Sequence, residues 1–343
     1  MTSHRLTPRR LAGTLLLLSG GLAACSLLAL AVGSSRIAIP DMLRALSGHT
    51  SGADISTILF QVRLPRILLA ALTGAALSCA GCTFQAVLRN PLADPYILGI
   101  SGGAALGAIL SSMVGLDRPG WVSLARPACA FAGAGLTVLL ILALARTRGA
   151  TASTPMLLIG WVFNSFFLAL ILFLETAVDF SKVRGAIFWL VGTLSPESYP
   201  VLAGLAVPVC IGGLTLWLLA RDFDLICAGE DTARQMGCNV ERTRLIGILI
   251  AALMTAAVVS FSGLIGFVGL IVPHATRLLF GPGHRLLVPA SALLGATGLV
   301  LADVLSRTLL APTEIPVGVL TVLAGGPGFV LLYRRYRAEV TLD

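Results

Sequence analysis

Charge is what this chain has least of. Only 12% of its residues are charged, where a soluble domain carries roughly a quarter, while 57% are hydrophobic and the mean hydropathy is +0.94. A water-soluble enzyme is excluded, and so is a nucleic-acid binder: the formal net charge of +8 belongs to short connections between apolar runs, where position matters more than total. The longest hydrophilic interval, 221–244, is too short to fold by itself. The composition therefore implies one all-α, polytopic membrane domain over residues 1–343.

Lysine is nearly missing, Lys182 being the single one. No G-x-x-x-x-G-K-[ST] stretch occurs, so the chain carries no phosphate-cradling loop. Carboxylates within apolar runs are scarce too, which argues against a carrier driven by protons or sodium, whose relay needs acids buried mid-membrane. Asp303 alone qualifies; it falls near the outer end of its run, and Arg307 one turn later serves as a local ion-pair partner. Metal chemistry lacks ligands as well. Cys79 and Cys82 are spaced C-x-x-C inside an apolar run with no histidine nearby, and such cysteines are small packing residues.

What the chain does have is apolar runs of spanning length, about 20 residues each. The first follows Arg5, Arg9 and Arg10. Leu22-Ala23-Ala24-Cys25 resembles a lipoprotein cleavage box, but the run continues to Gly33, so an uncleaved first helix is expected. Ser34–Gln61 is mixed and reads as a short external segment. Further helices are expected over 66–87, 96–115, 121–145, 155–174, 200–220, 245–262, 263–281, 286–307 and 316–333, with a partly embedded amphipathic piece within 175–199. These make ten crossings, with both termini on one side.

The arginines test that topology. Of the 24 basic residues, the ten-crossing scheme places 15 on the side of the termini and 9 on the other, so the termini are expected in the cytoplasm. The residues left on the outside include Arg63, Arg66 and Arg307.

Two stretches interrupt this pattern. In 63–103, Arg63-Leu64-Pro65-Arg66 opens an apolar run that breaks at Arg89-Asn90-Pro91-Leu92-Ala93-Asp94-Pro95, before a glycine-rich run resumes. A plain anchor has no use for such a break; it reads as a tight cytoplasmic turn. In 221–244, Ala228, Gly229, Glu230 and Asp231, then Ala233, Arg234 and Gly237, read as two short helices. Gly229 is their hinge, Glu230 an acid favoured at a helix N-terminus, and Gly237 a stop. This loop is the expected seat for a partner, since connections in compact domains are usually shorter.

A catalytic reading rests on Gly99-Ile100-Ser101-Gly102, which matches the G-x-S-G of intramembrane serine proteases, with His274 as a base. Ser101 falls roughly 8 Å inside the cytoplasmic end, at 1.5 Å per residue, whereas such proteases open their cavity outward. Glycine-rich helices also contain G-x-S-G simply to pack closely.

Taken together and in order, these motifs resemble the FecCD-like permease subunits of type II ABC importers, which carry iron-siderophores, haem or cobalamin. The marks are Arg63-Leu64-Pro65-Arg66, Gly81, Gln85, Asn90–Pro95 with Gly99 and Ser101, and Gly229-Glu230 with Ala233 and Gly237. Further on come Gly266–Leu270 with Pro273, His274 and Arg277, Asp303 with Arg307, and Glu314-Ile315-Pro316-Val317-Gly318. The resemblance implies a bacterial inner-membrane permease with no catalytic residues. It implies a homodimer, or a pair with a second permease, on two cytoplasmic ATPase subunits that hold the ATP and magnesium; this chain binds no cofactor. A periplasmic or lipid-anchored binding protein is implied to dock through carboxylates on Arg63, Arg66 and Arg307. The 221–244 loop is implied to couple to the ATPases, and Gln85, Asn90, Pro91, Asp94, Pro95, Gly99, Ser101, Pro273 and His274 to belong to the pathway or its motifs. An autonomous secondary carrier is the competing class, and the chelate carried stays open.

Overall fold

A computed structural model describes residues 7–33, 37, 39–47, 53–96, 99–114, 124–147, 150–151, 153–176 and 191–340. Helix α1 (Pro8–Ala31) starts at Thr7, whose hydroxyl accepts from the Arg10 amide, with Pro8 in the first turn where no intrahelical donor is needed. A short α2 (Ile39–Leu46) follows, and α3 (Ala53–Thr57) then runs through a π-helical turn, Ile58–Arg63, into α4 (Leu64–Val87).

This corrects the expected boundary at Gln61, because the chain is helical from Ala53 onward. The physical reason is Pro65. It cannot donate to Gln61, and its ring crowds that carbonyl. The wider turn before it, in which the Leu64 amide reaches the Leu59 carbonyl, absorbs the misfit without ending the helix.

α5 (Ile100–Met113) and α6 (Ala125–Ala145) follow. A two-residue antiparallel ladder, β1 (Arg146–Thr147) with β2 (Ala150–Thr151), leads into α7 (Ser153–Thr176) and departs slightly from a purely helical chain. The amphipathic piece expected within 175–199 lies largely outside the described residues. Beyond it are α8 (Tyr199–Leu218), α9 (Ala220–Ala228), α10 (Glu230–Gln235), α11 (Val240–Ser262), α12 (Val268–Phe280), α13 (His284–Thr308) and α14 (Val317–Val340). α11 begins earlier than expected because Asn239 caps it, accepting from the Arg242 amide.

Among the described residues, six helical spans are long and apolar enough to cross a membrane: Pro8–Ala31, Asp54–Val87, Ala125–Ala145, Tyr199–Leu218, Val240–Ser262 and His284–Thr308. Shorter apolar helices occupy Ile100–Met113, Leu158–Leu174, Val268–Phe280 and Val317–Val330. Leu136, Leu139, Leu144, Trp161, Phe166 and Phe173 point outward from α6 and α7. Helices that satisfy their own backbone and expose such residues belong in lipid.

The core forms around α4, which packs against α8, α11, α12 and α13. Small residues permit the close approach. A Cβ on Gly74 would overlap the Gly295 carbonyl of α13, and one on Gly81 the Gly269 carbonyl of α12. Gly81→Val is therefore expected to force α4 and α12 apart, at a cost of at least ~1–3 kcal/mol, visible as a lowered unfolding temperature in detergent. Gly135→Val, on α6 with nothing within 4 Å of the added Cβ, is the matched change and is not expected to lower that temperature.

Candidate functional site

Two ion-pair clusters lie at opposite ends of α4, about 35 Å apart at 1.5 Å per residue between Arg66 and Arg89. At the Arg66 end, Nε of Arg66 donates to Asp303 Oδ1 at 2.6 Å and its Nη1 to Glu314 Oε2 at 2.8 Å. Arg307 Nε lies 3.0 Å from Asp303 Oδ2. The expected one-turn pair of Asp303 with Arg307 is present, and Arg66, from a helix 237 residues earlier, makes it a triad. Arg63 Nη1 donates to the carbonyls of Leu30, at 2.5 Å, and Ala31, at 3.1 Å, tying α1 to the start of α4. Asp303, Arg63, Arg66 and Arg307 are all buried, so the three arginines face into the protein. A cavity of about 380 Å³ adjoins Arg66 and Glu314 and is bounded by Thr193, Ser195, Ser306 and Pro316.

At the other end Glu230 is a hub. Its carboxylate lies 2.6 Å from Arg244, 3.4 Å from Arg234 and 3.5 Å from Arg89. Burial alone would push its pKa up, but Arg244, Arg89 and Arg234 outweigh that and hold it below the usual glutamate value. Arg244 Nε also donates to the Val87 carbonyl at the end of α4. Gly229, at φ 133° and ψ 141°, makes the hinge in a conformation that side chains rarely adopt. Ala233 is buried against Ile226, Cys238 and Val240, so α9, α10 and the start of α11 share a small core; Asp231 is exposed and pairs with Arg234 at 3.2 Å. Gly237 follows α10 at φ 82° and ends it as expected. Ala228 lines a cavity of about 580 Å³ with Gln85, Asn90, Pro91, Arg277 and His284. Asp224 closes that side, accepting from the His284 amide at 3.0 Å and lying 2.7 Å from its Nδ1, so α9 is fastened to the start of α13.

The break after α4 is built from side chains that mimic backbone turns. Asn90 Oδ1 accepts from the Leu92 amide and Asp94 Oδ1 from the Tyr96 amide. Pro95 packs against Gly269 of α12, and Gly99, at φ 71°, starts α5. Burial pushes the Asp94 carboxyl up to about 6, against the small opposing effect of the Tyr96 amide. Between the ordinary aspartate value and about 6 the folded chain thus holds the extra proton, and stability falls as pH rises through that window. Asp94→Asn keeps the acceptor and removes the buried charge. It is expected to raise the unfolding temperature at pH 8 and leave it unchanged at pH 3.5; equal shifts at both values would contradict this.

The Gln85 amide nitrogen donates to the Leu270 carbonyl and its oxygen accepts from Arg277, so it latches α4 to α12. Pro273 and His274 are buried within α12. Ser101 is buried in α5. Its helix packs against α6, α7 and α11, whereas α12 packs against α4, α13 and α14. The serine and histidine of the protease reading therefore stand on helices packed in different parts of the bundle. Among the described residues no group of three or more histidine, cysteine or acidic side chains could hold a metal ion.

Arg89, Arg244, Asp224 and His284 carry the second cluster and were not singled out in the sequence for that role. Arg244 had a signal, being a basic residue at the edge of the hydrophilic loop. Asp224 and His284 had none, because 60 residues separate them.

A bundle of lipid-facing helices, with an ion-pair cluster at each end of its central helix, defines a multi-pass membrane protein. The chain belongs to the FecCD transport family, which it matches over residues 21–335. It is 38% identical to the hemin transport system permease protein HmuU of Yersinia pestis, across 98% of each chain. It is 41% identical to the cobalamin import system permease protein BtuC of Halobacterium salinarum, across 80% of this chain and 72% of that one. Among solved structures, an inward-facing conformation assigned to the metal-chelate type of ABC transporter superposes with a TM-score of 0.84. That similarity comes at 30% identity, across 94% of this chain and 99% of the other.

Proposed function

We propose that this chain is the translocating subunit of an ATP-driven importer that moves a metal chelate, foremost a ferric siderophore, across the inner membrane. The family match over 21–335 carries the reading. In this reading the chain makes ten crossings with both termini in the cytoplasm, pairs with a second permease, and works on two cytoplasmic ATPase subunits that hold ATP and magnesium. Cobalamin and haem remain the alternative cargoes: the relatives named for them, at 41% and 38% identity, do not select between the two.

In this reading the Glu230 cluster is the seat of the ATPase. α9 and α10 form a compact lever whose small core takes in the start of α11. Glu230 fixes the lever to α4 through Arg89 and to α11 through Arg244, and Asp224 fixes it to α13. A push on the lever is thereby delivered to helices packed at the centre of the bundle. The Arg66 cluster, at the far end of α4, is the seat of the delivering protein. Arg66 and Arg307 face two carboxylates there, and Arg63, held on the Leu30 and Ala31 carbonyls, adds one positive charge in excess to attract an acidic partner.

Charge reversal of Arg66 to Glu is expected to weaken docking of the cognate binding protein, most strongly at low salt. Affinity unchanged at every salt concentration would remove the docking assignment. ATP-dependent uptake of radiolabelled ferric siderophore, haem and cobalamin, each with its binding protein, tests the cargo.

A further inference from the structure

Arg66 holds two carboxylates that differ in kind. Asp303 is fully buried, sits within α13 and is shared with Arg307. Glu314 stands on the connection between α13 and α14, and its side chain is 47% exposed. The backbone of that connection is pinned, because the Ile315 amide donates to the Ser306 carbonyl and the Ser306 hydroxyl to the Ile315 carbonyl. The Glu314 side chain is therefore the member of the cluster that can move without unpacking a helix. The cavity of about 380 Å³ touches both it and Arg66, and is lined by the hydroxyl residues Thr193, Ser195 and Ser306.

We propose that Glu314 is an intramolecular stand-in for a carboxylate of the docking protein, and that docking on Arg66 proceeds by exchange of ion pairs. This rests on the docking reading above and adds the internal competitor to it. A guanidinium as buried as that of Arg66 is costly to leave with incomplete charge compensation. With no partner bound, Glu314 supplies that compensation from the solvent side. An incoming carboxylate enters the cavity, takes over Nη1, and releases Glu314 to water, where a half-exposed side chain has little hydration left to regain. Asp303 stays in place throughout and keeps Arg66 and Arg307 aimed. Glu314 is thus a positioning residue that sets docking affinity by competing for the same guanidinium.

The test titrates the cognate binding protein onto the assembled transporter in nanodiscs at low salt, with the wild type, Glu314→Gln and Arg66→Gln. Loss of a competing, partly exposed ion pair is expected to tighten docking about two- to fivefold in Glu314→Gln. Arg66→Gln should weaken docking at least about tenfold. If Arg66→Gln weakens docking and Glu314→Gln leaves it unchanged or weaker, exchange is overturned and docking on Arg66 stands. If Arg66→Gln binds as the wild type does, docking on Arg66 is overturned and exchange with it. Should Arg66→Gln fail to assemble, Arg307→Gln takes its place in the docking arm, while the Glu314→Gln result decides exchange.

Discussion

Exchanging Glu230 for lysine is expected to reduce ATP-driven uptake to background while the chain still inserts in the membrane. The carboxylate lies among Arg244, Arg234 and Arg89, and an ammonium in its place turns three attractions into three repulsions. Pairs of this partly exposed kind contribute ~0.2–1 kcal/mol each, so the lever loses its fixed position without loss of the hydrophobic core. Glu230→Gln removes the attraction but adds no repulsion and should fall between the two. The native pairing also has a pH signature. Because the folded pKa of Glu230 is lowered, its contribution is complete above the ordinary glutamate value of about 4.5 and is lost as pH falls through the lower folded value. Uptake by Glu230→Lys at the wild-type rate, measured in proteoliposomes with matched amounts of inserted protein, would remove the coupling role.

Asp303→Ala carries the largest expected effect on stability. Asp303 is fully buried and is held by Arg66 at 2.6 Å and Arg307 at 3.0 Å. Removing it leaves two buried guanidiniums to repel each other, with Glu314 reaching only one of them. Breaking a buried pair by deleting one partner costs ~3–5 kcal/mol, and here one carboxylate serves two arginines. The loss should appear as a marked fall in unfolding temperature in detergent and faster hydrogen exchange where α4 meets α13. Conversion of all three residues to apolar side chains of similar volume is expected to recover much of the stability without recovering docking. A wild-type unfolding temperature for Asp303→Ala would show that the triad is not a fastening.

How far the sequence predicts this molecule depends on the range of the interaction. Apolar length located the six helices long enough to span lipid, because crossing it demands about 20 apolar residues regardless of neighbours. Asn90, Asp94 and the two prolines marked the break, since side-chain turn mimicry acts within two residues. The pair of Asp303 and Arg307 was legible at one-turn spacing. What joined them was not: Arg66 and Glu314 arrive from elements far apart in the chain. The boundary at Gln61 failed because a mixed composition and a proline suggested an end, whereas a π turn lets the helix pass. Ser101 shows the converse. A local motif suggested chemistry, and the fold puts it in a packed helix interface away from the helix of His274.

ATP hydrolysis on partner subunits is the proposed driving force of this permease. The most direct measurement is uptake of labelled ferric siderophore into proteoliposomes holding the purified chain with its cognate ATPase and binding protein. Uptake is expected to require ATP, magnesium and the binding protein, and to persist when proton and sodium gradients are collapsed. Uptake by the chain alone, driven by either gradient and indifferent to ATP, would contradict it.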